Sequence, residues 1–403
     1  MEFINQTLVI ILAVLETVLC AYFFISAMYI LVFSIAGHFY KKREYLNSKI
    51  INSIAVFIPA YKEDSVIVDV AKEALKQHYQ TSKFDVIIIA DSLKKETLSK
   101  LYKLPITVVE VSFDKSTKAK ALNTALNSLD KKYDYAMILD ADNIMEVDFL
   151  SKMNSAFNKG FKVVQGHRKA KNLNTTYAIL DAASEEINNH IYRRGHSALK
   201  LSSGLIGSGM AFEYQLFKSI MKPIQAIGGF DKELEFELAK QQIHIEYLQD
   251  ANVLDEKIQK ASDFSNQRRR WLATQFIYLK KYYKSSFKEL LSNANITFFD
   301  KVWQMIVLPR ILLLGVTTLI TAVYLVIHLV FNISTTISNH FWLYNLAMVI
   351  AAFLLALPKS FYNLNTFRAL ASIPSAFLRM FALLFKLKGA NKKFIHTVHG
   401  VAK

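Results

Sequence analysis

The chain has 403 residues, 52% of them hydrophobic, and a mean hydropathy of +0.21, which allows a sizeable catalytic core and directs attention to membrane segments. A formal net charge of +16 with no isolated Lys/Arg tail argues against a nucleic-acid arm and leaves anionic lipid or an anionic substrate such as a nucleotide diphosphate. The single cysteine, Cys20, excludes an internal disulfide and a cysteine metal site.

Leu8 to Gly37 is apolar throughout, with Glu16 its only charge. About 20 such residues span a hydrocarbon core of ~30 Å. The run exceeds a signal-peptide core and lacks a small-residue cleavage pattern, so it predicts a retained helix. Lys41, Lys42 and Arg43 follow directly. Their charge places the N-terminus outside and the next domain in the cytoplasm. Residues 1–45 thus form a transmembrane helix with a basic flank.

Residues 46–295 alternate strand-like and helix-like stretches. Ser53–Ile58 is a β-branched run ending at Pro59, and Ser65–Gln77 reads as a helix. Phe84–Ile89 and Ile106–Val111 read as strands, the former ending at Asp91. Lys118–Leu129 is helical, and Tyr135–Leu139 is a strand ending in Asp140-Ala141-Asp142. Phe161–Gln165 and Ile243–Leu248 complete the strand set. Short apolar strands between helices predict an α/β fold with a mostly parallel, doubly wound sheet covered on both faces. Ligands bind beyond the carboxyl ends of such strands, where Asp91, Asp140 and Asp142 fall.

Residues 296–403 carry two further apolar runs, Val302–Ile333, with Arg310 near its start, and Phe341–Leu357. The intervening Asn332–His340 has no Lys or Arg, which suits the outer side. Lys359, Arg368, Arg379, Lys386, Lys388, Lys392 and Lys393 suit the inside. Thr366–Lys388 mixes apolar and basic residues and is interrupted by Pro374. It could lie in the interface, re-enter or cross a fourth time. His396 and His399 read as structural or interfacial.

Five constellations could carry chemistry. Asp140 and Asp142 can share a divalent cation, since Mg²⁺ and Mn²⁺ take one or two carboxylates plus substrate phosphates; they can equally be solvated loop acids. Asp91 can accept hydrogen bonds from a base or ribose, or cap a turn. Gln267-Arg268-Arg269-Arg270-Trp271 offers guanidinium forks for a diphosphate and a Trp face for a sugar, or a basic patch for anionic lipid. Gly228 to Glu235 turns into a helix rich in acids. One of them could be a general base, or all could be first-turn acids favoured by the helix dipole. The glycines of Gly204 to Met210 permit close approach of backbone to a ligand, without Walker spacing.

In this order the features resemble family 2 glycosyltransferases of GT-A fold, in the branch of membrane polysaccharide synthases for cellulose, hyaluronan and poly-N-acetylglucosamine. Val56 to Glu63 resembles the family's first strand and donor-base loop. Lys118 to Asn123 resembles its Lys-Ala-Gly-Ala-Leu-Asn stretch, with Lys120 in place of glycine. Asp140 and Asp142 match its DxD pair, and Gln267, Arg270 and Trp271 its QxxRW motif. Gly207-Ser208-Gly209 resembles its acceptor loop.

The resemblance implies an inverting transfer from a UDP-sugar to a glycan or lipid-linked acceptor at the cytoplasmic face of the cell membrane, with a β-linked product. It places Pro59, Ala60, Tyr61, Glu63 and Asp91 on the donor, with Lys118, Asp140, Gln267 and Arg270. Gly207, Ser208, Gly209 and Trp271 fall to the acceptor. Mg²⁺ or Mn²⁺ falls to Asp140 and Asp142. The family's Thr-Glu-Asp before the catalytic helix is replaced here by Gly-Phe-Asp and then Lys-Glu-Leu-Glu. Register counted from Leu248-Gln249-Asp250 puts the catalytic base at Asp231, with Glu233 two residues on. Three crossings are few for one chain to enclose a polymer channel. That leaves an export partner or oligomer, a single addition to a lipid-linked acceptor, or an inactive scaffold as alternatives to processive synthesis.

Overall fold

In the computed structural model, which describes residues 2–42, 50–259, 261–332, 335–387 and 389, eight strands form one mixed sheet in the order β3-β2-β1-β4-β7-β6-β8-β5. These strands are β1 (Ile54–Tyr61), β2 (Phe84–Asp91), β3 (Thr107–Val111), β4 (Tyr135–Ile138), β5 (Ile144–Met145), β6 (Val163–Ala170), β7 (Met210–Glu213) and β8 (Ile245–Asp255). Along β1 side chains alternate between two cores, as the strand period of two requires. Ile54, Val56 and Ile58 pack with the helix Ile67–Ala74, while Ala55 and Phe57 pack with the helix Lys118–Ser128. Both faces are covered, which is why β1 reads as a continuous apolar run.

The sheet is parallel from β3 to β4. Two elements depart from the sequence reading. The short β7 inserts antiparallel between β4 and β6, and the two-residue β5 pairs antiparallel with the end of β8. Strands β6 and β8 also run further than expected. They pair in parallel from Val163 opposite Ile245 to Ala170 opposite Asp255, with an irregularity between Gly166 and His167. This extension carries Arg168 and Asp255 toward the carboxyl end of β4.

Three helices are long and apolar enough to cross a membrane: Ile10–Phe39, Arg310–Leu329 and Asn339–Ala356. The predicted span beginning at Val302 is corrected. The helix Ile296–Ile306 ends before Pro309, and the apolar helix starts at Arg310. Proline lacks an N–H and disfavours helical geometry in the residue before it, so it separates the two. The helices Leu364–Leu370 and Ile373–Leu384 meet at 43° and would make a fourth, broken crossing if counted as one. Arg43, Ile333, Lys388, Lys392, Lys393, His396 and His399 lie outside the described residues.

After the helix Thr176–Asn188 the chain continues as a π-helical segment, Asn189–Gly195, packed against the first apolar helix. Gly195 sits so close to that helix that a Cβ there would lie 2.3 Å from the Phe33 carbonyl oxygen. Such wide turns recur at functional sites, and here one side of the turn opens onto the main cavity.

Candidate active site

A cavity of about 580 Å³ opens beyond the carboxyl ends of β1, β2 and β4, at the point where the sheet changes direction. Its inner end is built from strand ends. Pro59, Ala60 and Tyr61 close β1, and Asp91, only 2% exposed, closes β2. The Lys62 N–H donates to the Asp91 carbonyl at 3.1 Å, and Ser92 Oγ donates to Asp91 Oδ1 at 2.9 Å. Both Lys62 and Ser92 have φ near +60°. Non-glycine residues occupy that region sparingly, so both strand exits hold locally unfavourable backbone beside the cavity.

The helix Lys118–Ser128 points its start into the same space. Thr117 Oγ1 caps it by accepting from the Lys120 N–H at 3.2 Å. Ser116, Thr117 and Lys118 all line the cavity, so a positive helix end faces it. Lys118 Nζ donates to Asp140 and, at 2.7 Å, to the Gly207 carbonyl. Asn123, further along, ties the helix to the Met221 carbonyl at 3.0 Å.

Asp140 and Asp142 leave β4 on a turn that is held from several sides. The Asp140 N–H donates to Ser208 Oγ at 2.9 Å, and Ser208 in turn donates to Asn143. Asp142 accepts from Asn143 Nδ2 at 3.3 Å and from the Glu256 N–H at 3.1 Å. Two oriented carboxylates fit the oxygen donor set of Mg²⁺ or Mn²⁺. Among the described residues no group of three or more acids, histidines or cysteines is placed to hold a metal, so phosphate and water oxygens would supply the remaining ligands.

Asp231 stands at the start of the helix Phe230–Lys240, after Gly229 in the left-handed conformation at φ +71°. Its carboxyl lies over Gly207, where a Cβ would be 3.6 Å from Asp231 Oδ2. Gly207 has φ +80°, and the absence of a side chain leaves the carboxyl room on the cavity side. Burial pushes the Asp231 carboxyl above the ordinary range; the Glu235 charge adds to this, against Lys232 and Lys118. A carboxylate that has lost water and holds its proton less loosely is a better base.

Glu233 does not line the cavity. It pairs with Lys281, and Tyr278 Oη donates to it at 3.4 Å. Glu235, expected as a first-turn acid, is instead buried. It accepts from the Leu205 N–H at 2.9 Å and from Lys232 Nζ at 2.8 Å, and against the effect of burial the charges of Lys232 and Lys301, with these hydrogen bonds, hold it down to about 2. Ser208 and Gly209 also stay behind the wall: Ser208 supports the Asp140 turn, and the Gly209 N–H donates to the Ile138 carbonyl at 2.9 Å.

The outer end is formed by the helix Ala261–Asn293 and its neighbours. Gln267, Arg270 and Trp271 line the cavity. Gln267 Oε1 is buried with no hydrogen-bond partner among the described residues. Burial lowers the Arg270 guanidinium without discharging it. Arg268 is spent in a buried ion pair with Asp181 at 2.5 Å and stacks on Trp271, 4.2 Å from the ring centre. Arg269 donates to the Lys386 carbonyl at 2.6 Å. Arg270 thus lines the cavity beside Arg268, which does so from within its pair with Asp181.

Sequence reasoning missed a buried ionic cluster beside the DxD turn. Arg168 pairs with Glu185, and lies 3.7 Å from Asp255 and 3.9 Å from Asp140. Lys257 pairs with Glu185 and, at 2.6 Å, with Asp255. Burial opposes these charges, but each is held ionised by its partners: the acids are lowered, and Arg168 and Lys257 raised. No spacing rule joins these residues, which meet only through the extended pairing of β6 and β8.

The fold and cavity are those of a nucleotide-sugar transferase. Residues 52–274, more than half of the chain, match the family described as Glycosyltransferase like family 2, and the chain belongs to that family of enzymes. No curated protein matches it. A solved mannosyltransferase from Pyrobaculum calidifontis, in complex with GDP-Man and Mn²⁺, is 15% identical with a TM-score of 0.50, covering 85% of this chain and 98% of that one. The likeness shows a GT-A-like fold. Staphylococcus aureus TarS 1–349 with UDP-GlcNAc is 13% identical at a TM-score of 0.39, covering 84% of this chain and 90% of that one. Glucosyl-3-phosphoglycerate synthase from Mycobacterium tuberculosis, with Mn²⁺, UDP and glucosyl-3-phosphoglycerate, is 16% identical at 0.38, covering 55% and 78%.

Proposed function

We propose that the chain is a membrane-embedded inverting glycosyltransferase that takes a sugar from a UDP-sugar and attaches it in β-linkage to a glycan acceptor on the cytoplasmic side. The observation that carries this reading is the placement of Asp231 in one cavity with Asp140, Asp142, Arg270 and Trp271. The Pyrobaculum enzyme, crystallised with a nucleotide sugar and Mn²⁺, supports a donor of the same class. Three helices of membrane-spanning length and the Lys/Arg bias at their ends support the location.

In this mechanism Asp91 and the end of β1 hold the nucleotide base and ribose. Asp140 and Asp142 would hold Mg²⁺ or Mn²⁺, which supplies positive charge to the departing diphosphate. Lys118, the helix start beside it and Arg270 face the same phosphates, where negative charge develops. Trp271 offers a face to the acceptor sugar. Asp231 Oδ removes the proton from the acceptor hydroxyl, which attacks the anomeric carbon opposite the nucleotide. The carbon–oxygen bond to the diphosphate breaks, configuration inverts, and the proton remains on Asp231 until solvent takes it.

One observation favours a lipid-linked acceptor over an elongating polymer. The outer wall includes Ile311 and Met380 from the apolar C-terminal helices, with Met305, Val307 and Leu308 from the segment that leads into them, so apolar side chains bound the cavity on that side. The test is a donor panel on purified membranes, reading released nucleotide and product mass. A single mass increment on an extractable lipid supports this acceptor, and a ladder supports polymer synthesis. No transfer from any nucleotide sugar refutes the enzyme reading.

A further inference from the structure

Neighbouring residues of the π-helical segment face different spaces. Arg193 lines the active-site cavity, while Arg194 lines a second cavity of about 490 Å³. This second cavity is bounded by the ends of two apolar helices. His38 lies in the last turn of the first, and Leu355, Pro358 and Lys359 mark the end of Asn339–Ala356. Strand β6 supplies His167 and Lys169.

Its charge is unbalanced. Arg194, Lys169 and Lys359 have no carboxylate partner among the described residues, and Arg194 Nε is buried without a hydrogen bond. Glu186 is the one acid in the wall among the described residues, and His167 Nε2 already engages it at 3.0 Å. His38 and His190 are tied to the Leu355 and Ser34 carbonyls at 2.9 and 2.8 Å, and burial keeps His190 neutral, its pKa lowered to about 4. Three cations therefore face a space whose described lining holds a single carboxylate. Arg194 and Lys169 are half-buried and Lys359 is exposed, so the cluster opens toward solvent, from which an anion can reach it. A guanidinium fork and two ammonium groups match phosphate oxygens.

We propose that this cavity seats the phosphate headgroup of an anionic membrane lipid. The proposal rests on the spanning arrangement given above. In that arrangement the ends of both helices lie at the headgroup level of the positively biased side, where basic pockets between spans attract anionic lipid. Leu173, Leu357 and Phe361 give the same cavity an apolar edge for the first carbons of the lipid.

The test uses the full chain, purified in neutral detergent and titrated with phosphatidylglycerol, with bound lipid counted by native mass spectrometry. One lipid should be retained more tightly than the rest. Arg194→Gln, and separately the exposed-side pair Lys169→Gln and Lys359→Gln, should weaken that lipid about five-fold per cation removed. Lys41→Gln, an exposed change beside the first span, should leave it in place. Equal weakening by Lys41→Gln, or no effect of either cavity variant, overturns the proposal. Competition by millimolar inorganic phosphate as effective as that by lipid also overturns it, because the occupant is then a soluble phosphate. Extraction of the chain from membranes by alkaline carbonate would overturn the spanning reading and the headgroup site together. Retention in the membrane with lipid binding indifferent to these residues would overturn the headgroup site alone.

Discussion

Glu235 lies 3.2 Å from Lys301, and neither side chain is more than 2% exposed. This ion pair fastens the helix that begins with Asp231 to the helix Ile296–Ile306, the element that leads into the apolar C-terminal region. Removing one partner of a buried pair leaves the other charge uncompensated, at about 3–5 kcal/mol. Glu235→Gln should therefore lower the unfolding temperature, and Lys301→Met on the same background should recover most of the loss. Equal stability of wild type and the single variant would show that the pair contributes nothing. The folded pKa of Glu235 is depressed, so its contribution is present above the ordinary carboxylate range and fades as pH falls toward about 2.

Glu235 should also bear on the acid limb of the reaction. Asp231 is raised by burial and by the Glu235 charge, and it acts only when deprotonated. Activity should thus fall as pH drops through the Asp231 pKa. In the Glu235→Gln, Lys301→Met double variant one anionic neighbour is gone, so the acid limb of kcat/KM should move to lower pH. A limb that stays in place, or moves up, rules out Asp231 as the titrating group.

Asp231→Asn should bind donor normally and lose about 10²–10⁴ in transfer rate, the usual range for a general base. Glu233→Gln should remain active, because Glu233 pairs with Lys281 outside the cavity. Rapid turnover by Asp231→Asn together with a dead Glu233→Gln would move the base two residues along.

Asp142→Ala should abolish transfer while leaving the fold intact, and excess chelator should do the same to wild type. Loss of Asp142 removes an oriented carboxylate but leaves Asn143 bonded to Asp255 at 3.0 Å, so the turn keeps a support. Full turnover in either case would refute a divalent-metal requirement.

Trp271→Ala should spare UDP binding and abolish transfer, whereas Arg270→Ala should weaken both. Because Arg268 already covers one face of Trp271, only the other face is open to a sugar. Equal loss of UDP affinity in the two variants would show that these roles are wrongly divided.

For topology, the Thr336→Cys variant should react with an impermeant maleimide in intact cells, and the Lys95→Cys variant only after permeabilisation, in a Cys20→Ser background. Both positions are exposed in the structure. The reverse pattern refutes the orientation.

Much of this arrangement was legible because strands buried on both faces announce themselves as short apolar runs and end in chemistry. The short continuous apolar runs of β1 and β2 located the sheet, and Asp91 and Asp140 fell at the strand ends where the cavity opens. Hidden features depended on pairing across long separations. Strand β7 is four residues beside a glycine loop, with too little alternation to show. The cluster of Arg168, Glu185, Asp255 and Lys257 exists only in the register of β6 against β8. Glu235 looked like a solvated acid because nothing local signals Lys301, 66 positions away in the numbering. Ser208 and Gly209 were assigned to the acceptor by the family resemblance, but in the structure Ser208 braces the Asp140 turn and Gly209 bonds to the end of β4 at Ile138.

Gly195 leaves no gap between the transferase body and the first apolar helix: an added methyl would strike the Phe33 carbonyl at 2.3 Å. At that point backbone rests on backbone with no side chain between them. On the membrane-spanning reading, such a seam would tie the height of Asp231 above the lipid to the fold. An enzyme so built would act as a gauge, favouring acceptors whose hydroxyl reaches that level. Gly195→Ala, by prying the parts a fraction of an ångström apart, would reset the gauge before it touched any residue of the chemistry.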